Sequence, residues 1–109
     1  MQMKEKFGPI RNGLLEFVVM KIIAANQVYV ADVLKKLDTT EFATHEGTLY
    51  PLLSKMRREA LVEYEWRESE SGPPRKYYKL TQEGVSELKE LGEYWRKINS
   101  TLDSFKAPL

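Results

Sequence analysis

EGTLYPLLSKMRREALVEYEWRESESGPPRKYYKLTQEG, residues 46–84, is the stretch that decides the fold. Leu49, Leu52, Leu53 and Met56 recur at steps of three and four, which predicts a helix to about Glu59 with Thr48, Lys55, Arg57 and Arg58 pointing outward. From Leu61 to Arg67 the period changes to two, with Val62, Tyr64 and Trp66 on one side and Glu63, Glu65 and Arg67 on the other. That is a half-buried strand, with Trp66 in the core or at the base of the hairpin. Tyr78 and Leu80 supply inward residues on a return strand. Between the strands, Glu68 to Pro74 holds serine, glycine and two prolines, which predicts a loop longer than a tight turn. A helix, a hairpin with a basic tip and a further helix follow the order of a winged helix-turn-helix, which presents a helix to a DNA groove.

Upstream, residues 10–25 are rich in apolar side chains, with Glu16 and Lys21 as charges beyond Arg11. A strand competes on β-branched content, but such a length without a turn signal favours a largely buried helix. Asn26 and Gln27 break the pattern. A second helix from about Tyr29 to Leu37 sets Val30, Val33, Leu34 and Leu37 on one face, and Asp38 to Thr40 form the next loop. The third helix is expected after Thr44, whose hydroxyl is placed to cap free N–H groups while Glu46 lies at the positive end of the helix dipole. Pro51 crowds the carbonyl of Gly47 and predicts a bend or a later helix start.

Downstream, Thr81 is a capping residue for a helix from about Gln82 to Phe105, followed by a tail, Ala107 to Leu109. Leu88, Leu91, Trp95, Ile98, Leu102 and Phe105 repeat at steps of three and four, the pattern of a helix that packs on a partner helix. One chain of 109 residues builds one modest core. A helix projecting from it finds cover in a second subunit, so a homodimer is expected. The fold class is therefore mainly α with a small β-hairpin (α+β). Residues 1–80 form a winged helix-turn-helix DNA-binding domain, and 81–109 the dimerisation helix and tail.

With no cysteine the chain has neither disulfides nor thiolate ligands, and His45 is its one histidine. A zinc site built from carboxylates and His45 alone is a poor ligand set, and no cofactor is implied. Catalysis lacks a nucleophile beside that histidine and a glycine-rich phosphate loop, so no enzyme is expected. No apolar run reaches the roughly 18 residues that span a membrane, and residues 1–13 lack the apolar core of a leader. A cytoplasmic protein is expected.

Formal net charge is only +1, far from the basic balance typical of nucleic-acid binders. Distribution matters more than the sum. Residues 61–70 set four glutamates against Arg67, whereas 71–80 hold Arg75, Lys76 and Lys79 with no acid. Exposed charges beyond a Debye length of about 8 Å are screened, so a ligand that meets one face feels that face.

These residues resemble the PadR-type transcriptional regulators of the short class, which carry a single C-terminal dimerisation helix. The likeness rests on EGTLYPLLSKMRREALVEYEW and GPPRKYYKLTQEG and runs along nearly the whole chain. It implies a dimeric repressor bound to double-stranded DNA at an inverted-repeat operator, as in relatives that control drug-efflux or phenolic-acid stress genes and let go when a flat apolar ligand binds. It also implies roles by position. Thr44, His45, Glu46, Thr48 and Tyr50 are groove-facing candidates, Lys55, Arg58 and the Tyr29 hydroxyl are phosphate contacts, and Arg75 and Lys76 form a wing that reaches phosphates or the minor groove. The helix offers no Arg, Asn or Gln near its start for bidentate base reading. Leu14, Leu91, Gly92 and Trp95 are implied to line an effector cleft, where Trp95 stacks on a planar ligand.

Each of these roles has a blander counterpart. Trp95 also fits as plain dimer-seam packing, His45 as a solvated polar residue, the acids from Glu63 to Glu70 as a solvated face, and Arg75 with Lys76 as a soluble loop tip. The competing class is a dimeric winged-helix protein-interaction module without specific DNA binding.

Overall fold

A computed structural model describes residues 6–106 and 108; the predicted tail residues Ala107 and Leu109 lie outside the described residues. In chain order come α1 (Gly8–Ala25), α2 (Val30–Leu37), α3 (Glu46–Arg58), β1 (Val62–Ser69), β2 (Gly72–Leu80) and α4 (Gln82–Ser104). Three short helices, a two-stranded antiparallel wing and a long last helix make up this winged helix.

Apolar side chains at helical spacing build the core. Leu15, Val19, Met20 and Ile23 of α1 meet Val30, Val33 and Leu37 of α2 and Leu49, Leu53 and Met56 of α3. Leu61, Val62 and Tyr78 close it from the wing. Burying each such side chain contributes about 1.5–3 kcal/mol, so this cluster is the main source of stability. One face of α1 is outside it: Leu14 and Phe17 are only half-buried there, while Val18 packs on the cluster's edge.

At the start of α3 the N-cap is His45, and no side chain caps it, so the expected Thr44 cap is not made. The reason is positional: a capping side chain acts from the residue just before the first turn, and that residue is His45, whose carbonyl accepts from Thr48 and Leu49 at 3.0 Å each. Nor does Pro51 delay the helix, which begins at Glu46 and is continuous through it. One backbone hydrogen bond is forgone there, while Leu49, Leu53 and Met56, fully buried on either side, hold the helix down.

The C-terminus of α3 is a Schellman turn. Leu61 N–H donates to the Met56 carbonyl at 2.9 Å and Ala60 N–H to that of Arg57 at 3.0 Å, with Ala60 left-handed at φ 62°.

The wing differs from the expected long loop. β1 extends to Ser69 and β2 begins at Gly72, leaving a tight turn at Glu70 and Ser71. Pro73 and Pro74 lie inside β2, where a register irregularity between Arg67 and Ser69 interrupts the ladder and needs no N–H from them. The Ser69 hydroxyl lies 2.8 Å from the Gly72 carbonyl and 3.0 Å from that of Pro73, which fastens the tip. Trp66 is 62% exposed and is therefore neither core nor buried base. It sits opposite Lys76, beyond the reach of the core that takes in Val62 and, in part, Tyr64.

Val28 adds a third, one-residue strand. Tyr78 N–H donates to its carbonyl at 2.7 Å, and its own N–H donates back at 3.3 Å. The loop after α1 is thereby part of the sheet that carries the wing.

Thr81 caps α4 as expected, its hydroxyl accepting from Gly84 N–H at 3.0 Å. At Gly84 a Cβ would lie 2.0 Å from the Leu61 carbonyl oxygen, so glycine alone permits this seating. The six seam residues then divide. Leu88 and Leu91 already pack on the chain's own core, Trp95 and Ile98 are half-buried, and Leu102 and Phe105 are 66% and 79% exposed.

Candidate nucleic-acid interface

Three elements enclose a groove of about 470 Å³: the start of α2 with Tyr29, the start of α3 with Glu46 and Tyr50, and the wing with Trp66, Arg75 and Lys76. Five of the ten DNA-contact candidates thus come together. Thr44, His45 and Thr48 stand beside them at the exposed start of α3, with Thr44 half-buried. Gly47 allows the His45 ring to fold over the first turn, since a Cβ there would be 3.1 Å from His45 Nδ1.

Cation–π contacts order the wing's basic groups. The Arg75 guanidinium lies 4.5 Å above the Tyr29 ring, and Lys76 Nζ lies 4.5 Å from the Tyr64 ring and 5.3 Å from Trp66. At exposed sites each such contact is worth about 0.5–1 kcal/mol, enough to bias an orientation while the charge stays open to solvent.

A second depression of about 420 Å³ continues along α3, where Ser54, Arg57 and Arg58 face Lys76 and Tyr78. Arg58 was a phosphate candidate from the sequence, and Arg57 was not. Its guanidinium is 4.7 Å above Tyr64. The pair Arg57-Arg58 in a helix's last turn was the available signal, but helical phase gives no sign that the wing stands beside both.

Lys55 is placed elsewhere. It pairs with Glu16 of α1 and with Glu59, each at 3.5 Å, and the Glu16 carboxylate foremost holds its ammonium above the usual value. It lines neither depression.

Apart from these lies a cavity of about 250 Å³ between α1 and α4, lined by Leu14, Phe17, Val18, Lys21, Phe42 and Trp95. Of the four effector candidates, Leu14 and Trp95 meet here. Leu91 is instead turned onto the core, and Gly92 opens on space, with nothing within 4 Å of a Cβ built there. Phe17, Lys21 and Phe42 escaped the sequence analysis because α1 read as a largely buried helix with no outer face assigned, and Phe42 fell between the second and third helices. Among the described residues no group of three His, Cys, Asp or Glu could hold a metal, and no helix is long and apolar enough to cross a membrane.

A helix presented beside a two-stranded wing whose Arg75 and Lys76 line the groove, on a core of three helices, defines a winged-helix protein. Residues 19–90, from the middle of α1 into α4, match the transcriptional regulator PadR-like family, and the chain belongs to it. A PadR-like transcription factor from Bacteroides fragilis is 40% identical, with a TM-score of 0.80 over 94% of this chain and 99% of that one. A PadR-like transcriptional regulator from Bacillus cereus is 35% identical, with a TM-score of 0.76 over 84% of this chain and 90% of its own. A PadR family transcriptional regulator from Eggerthella lenta, 27% identical, superposes with a TM-score of 0.82 over 92% and 88%.

Proposed function

We propose that this transcription regulator is a homodimeric repressor that binds an inverted-repeat operator and leaves it when a small apolar or aromatic effector binds. The observation that carries the DNA reading is the groove where Tyr29, Glu46, Tyr50, Arg75 and Lys76 converge. Residues 44–50 supply the base-facing groups, with Glu46 an acceptor suited to cytosine N4 and Tyr50 a hydroxyl. Arg75, Lys76, Arg57 and Arg58 supply phosphate contacts, which set affinity and register.

The dimer reading rests on the outer half of α4, where Leu102 and Phe105 are largely bare of protein. A second copy of α4 covers them, and the division of labour follows: 1–80 reads DNA and 81–109 joins the subunits. The effector reading rests on the cavity at Trp95, whose lining is apolar except for Lys21.

Selection of the purified protein against a random duplex library tests the whole. Enrichment of an inverted repeat establishes specific regulation and half-site spacing. Recovery of no motif at low and physiological salt favours the protein-interaction module, for which Glu63, Glu65 and Glu68 along β1, with Glu70 in the turn, are the supporting feature.

A further inference from the structure

Beside the groove, the wing carries a ladder of two stacked rings held between two cations. Arg75 lies 4.5 Å above Tyr29, Tyr29 is 5.3 Å from Tyr77 with the rings tilted by 59°, and Arg67 lies 4.7 Å above Tyr77. Tyr29 belongs to the loop before α2, whereas Arg67, Arg75 and Tyr77 belong to the wing. The ladder therefore spans two separate parts of the fold, beside the backbone bridge between Val28 and Tyr78.

Its two arginines are used differently. Arg67 spends its donors locally, with Nε and Nη2 at 2.9 and 2.6 Å from Glu65 Oε1 and a further bond from Nη2 to the Gln27 side chain. Gln27 is again part of the loop before α2, so Arg67 is a tie between loop and wing. Arg75 has no acidic partner among the described residues and keeps its N–H edge free. A guanidinium stacked by its face on an aromatic ring still presents that edge, with the fork geometry that suits a phosphate.

We propose that Tyr77 is a positioning residue for DNA binding: with Arg67 it clamps the wing to the Gln27–Tyr29 loop and so holds the Tyr29 ring under Arg75. Tyr77 itself touches no nucleic acid in this scheme. An unbraced two-stranded ribbon is marginally stable and flexes, and an arginine at its tip then loses part of its phosphate contact to disorder. The proposal rests on the wing's phosphate contact under the proposed function, and Arg75→Ala serves as the reference for that contact.

The test measures affinity for a fixed duplex over a salt series for wild type, Arg75→Ala, Tyr77→Ala, Tyr77→Phe, Arg67→Ala and the double variant Tyr77→Ala with Arg75→Ala. Hydrogen exchange of the DNA-free proteins is followed in parallel. Tyr77→Ala is expected to flatten the slope of log affinity against log salt by up to about one unit, as Arg75→Ala does. The double variant should lose no more than either single one, and Tyr77→Phe should match wild type. Arg67→Ala, at an exposed position that leaves the core intact, should shift in the same direction. Without DNA, Tyr77→Ala and Arg67→Ala should speed exchange across residues 62–80 while the α1 and α3 amides keep theirs.

A wild-type slope for Tyr77→Ala beside a flattened one for Arg75→Ala overturns the positioning role alone, as do additive losses in the double variant or unchanged wing exchange. If Arg75→Ala itself keeps the wild-type slope, the wing does not touch phosphate, and the positioning role falls with the reading beneath it.

Discussion

Thr81 serves Ala60 and its own helix with one hydroxyl. The Oγ1 atom donates to the Ala60 carbonyl and accepts the Gly84 N–H at 3.0 Å, tying the left-handed residue that ends α3 to the first turn of α4. Thr81→Ala should lower stability by about 1 kcal/mol or somewhat more, since it removes a cap and a partner for the carbonyl. Thr81→Ser should recover most of that. Denaturant midpoints at one fixed protein concentration decide it, and equal midpoints for the alanine and serine variants refute the dual role.

Ala60 offers a gain in the same joint. A left-handed alanine costs roughly 1–2 kcal/mol, and glycine in its place forfeits roughly 0.5–1 kcal/mol of chain entropy. Ala60→Gly should therefore stabilise the fold by about 0.5–1 kcal/mol, visible as a higher denaturant midpoint with an unchanged slope.

Lys55→Ala and Arg75→Ala should behave differently toward DNA, although both remove one positive charge. The first breaks pairs with Glu16 and Glu59 on the side of α3 away from the wing groove and should leave the salt dependence of binding nearly unchanged. The second should reduce its slope by about one unit across all duplex sequences. Equal slopes for the two variants would place Lys55 on phosphate after all.

A charge on the exposed end of α4 tests assembly more cleanly than one near its start, because Leu91 also packs on the core of its own chain. Leu102→Asp should yield a folded monomer by light scattering and weaken operator binding at least tenfold, since two half-sites then lose their linkage. A dimer of undiminished affinity would show that the subunits join elsewhere.

Planar aromatic compounds should quench or shift Trp95 emission. Trp66 on the wing is a second and more exposed emitter, so the titration belongs in a Trp66→Phe background. There, Phe17→Ala and Leu14→Ala, which alter the cavity wall, should weaken the response several-fold. A full response in both variants would assign the signal to a different site.

Alkaline stability follows from Tyr78. Burial, foremost, pushes its phenol above the usual value, with smaller contributions in the same direction from Tyr50 and Tyr64. A raised pKa means that the folded state favours the neutral phenol. The resulting stability is complete below about pH 10 and is lost as pH rises through the folded value. Tyr78→Phe should flatten the alkaline limb of a stability–pH profile, and a limb as steep as wild type would assign it to other groups.

Legibility in the sequence followed period. Leu49, Leu53 and Met56, or Val62 and Tyr64, advertise their elements because one face of each is buried, and burial writes a repeat of 3.6 or 2 into the chain. Thr81 was equally plain, since one hydroxyl before a helical pattern has one common use. Contacts between distant segments leave no such mark. Nothing near Gln27 or Tyr29 indicates that they meet Arg67 and Tyr77, and nothing near Lys55 points to Glu16. Pro73 and Pro74 misled in the opposite direction, because a proline's exclusion from a ladder depends on whether its N–H faces a neighbouring strand, a fact of register rather than composition. On the cavity side, Leu14 and Trp95 were named only through the family resemblance, while Phe42 comes from a loop whose path the sequence leaves open.

The glycine at position 84 also has mechanical significance. Because α4 is seated against the Leu61 carbonyl at a distance that admits no Cβ, the helix leaves the winged domain as a stiff arm whose angle is set at its root. From Gly84 to Leu102 that arm is about 27 Å long at 1.5 Å per residue. A tilt of roughly 10° at the root would swing its far end by nearly 5 Å at that length, well over one base-pair step. In the proposed dimer, the absence of a single methyl group would act as the gauge that sets how far apart two reading heads stand.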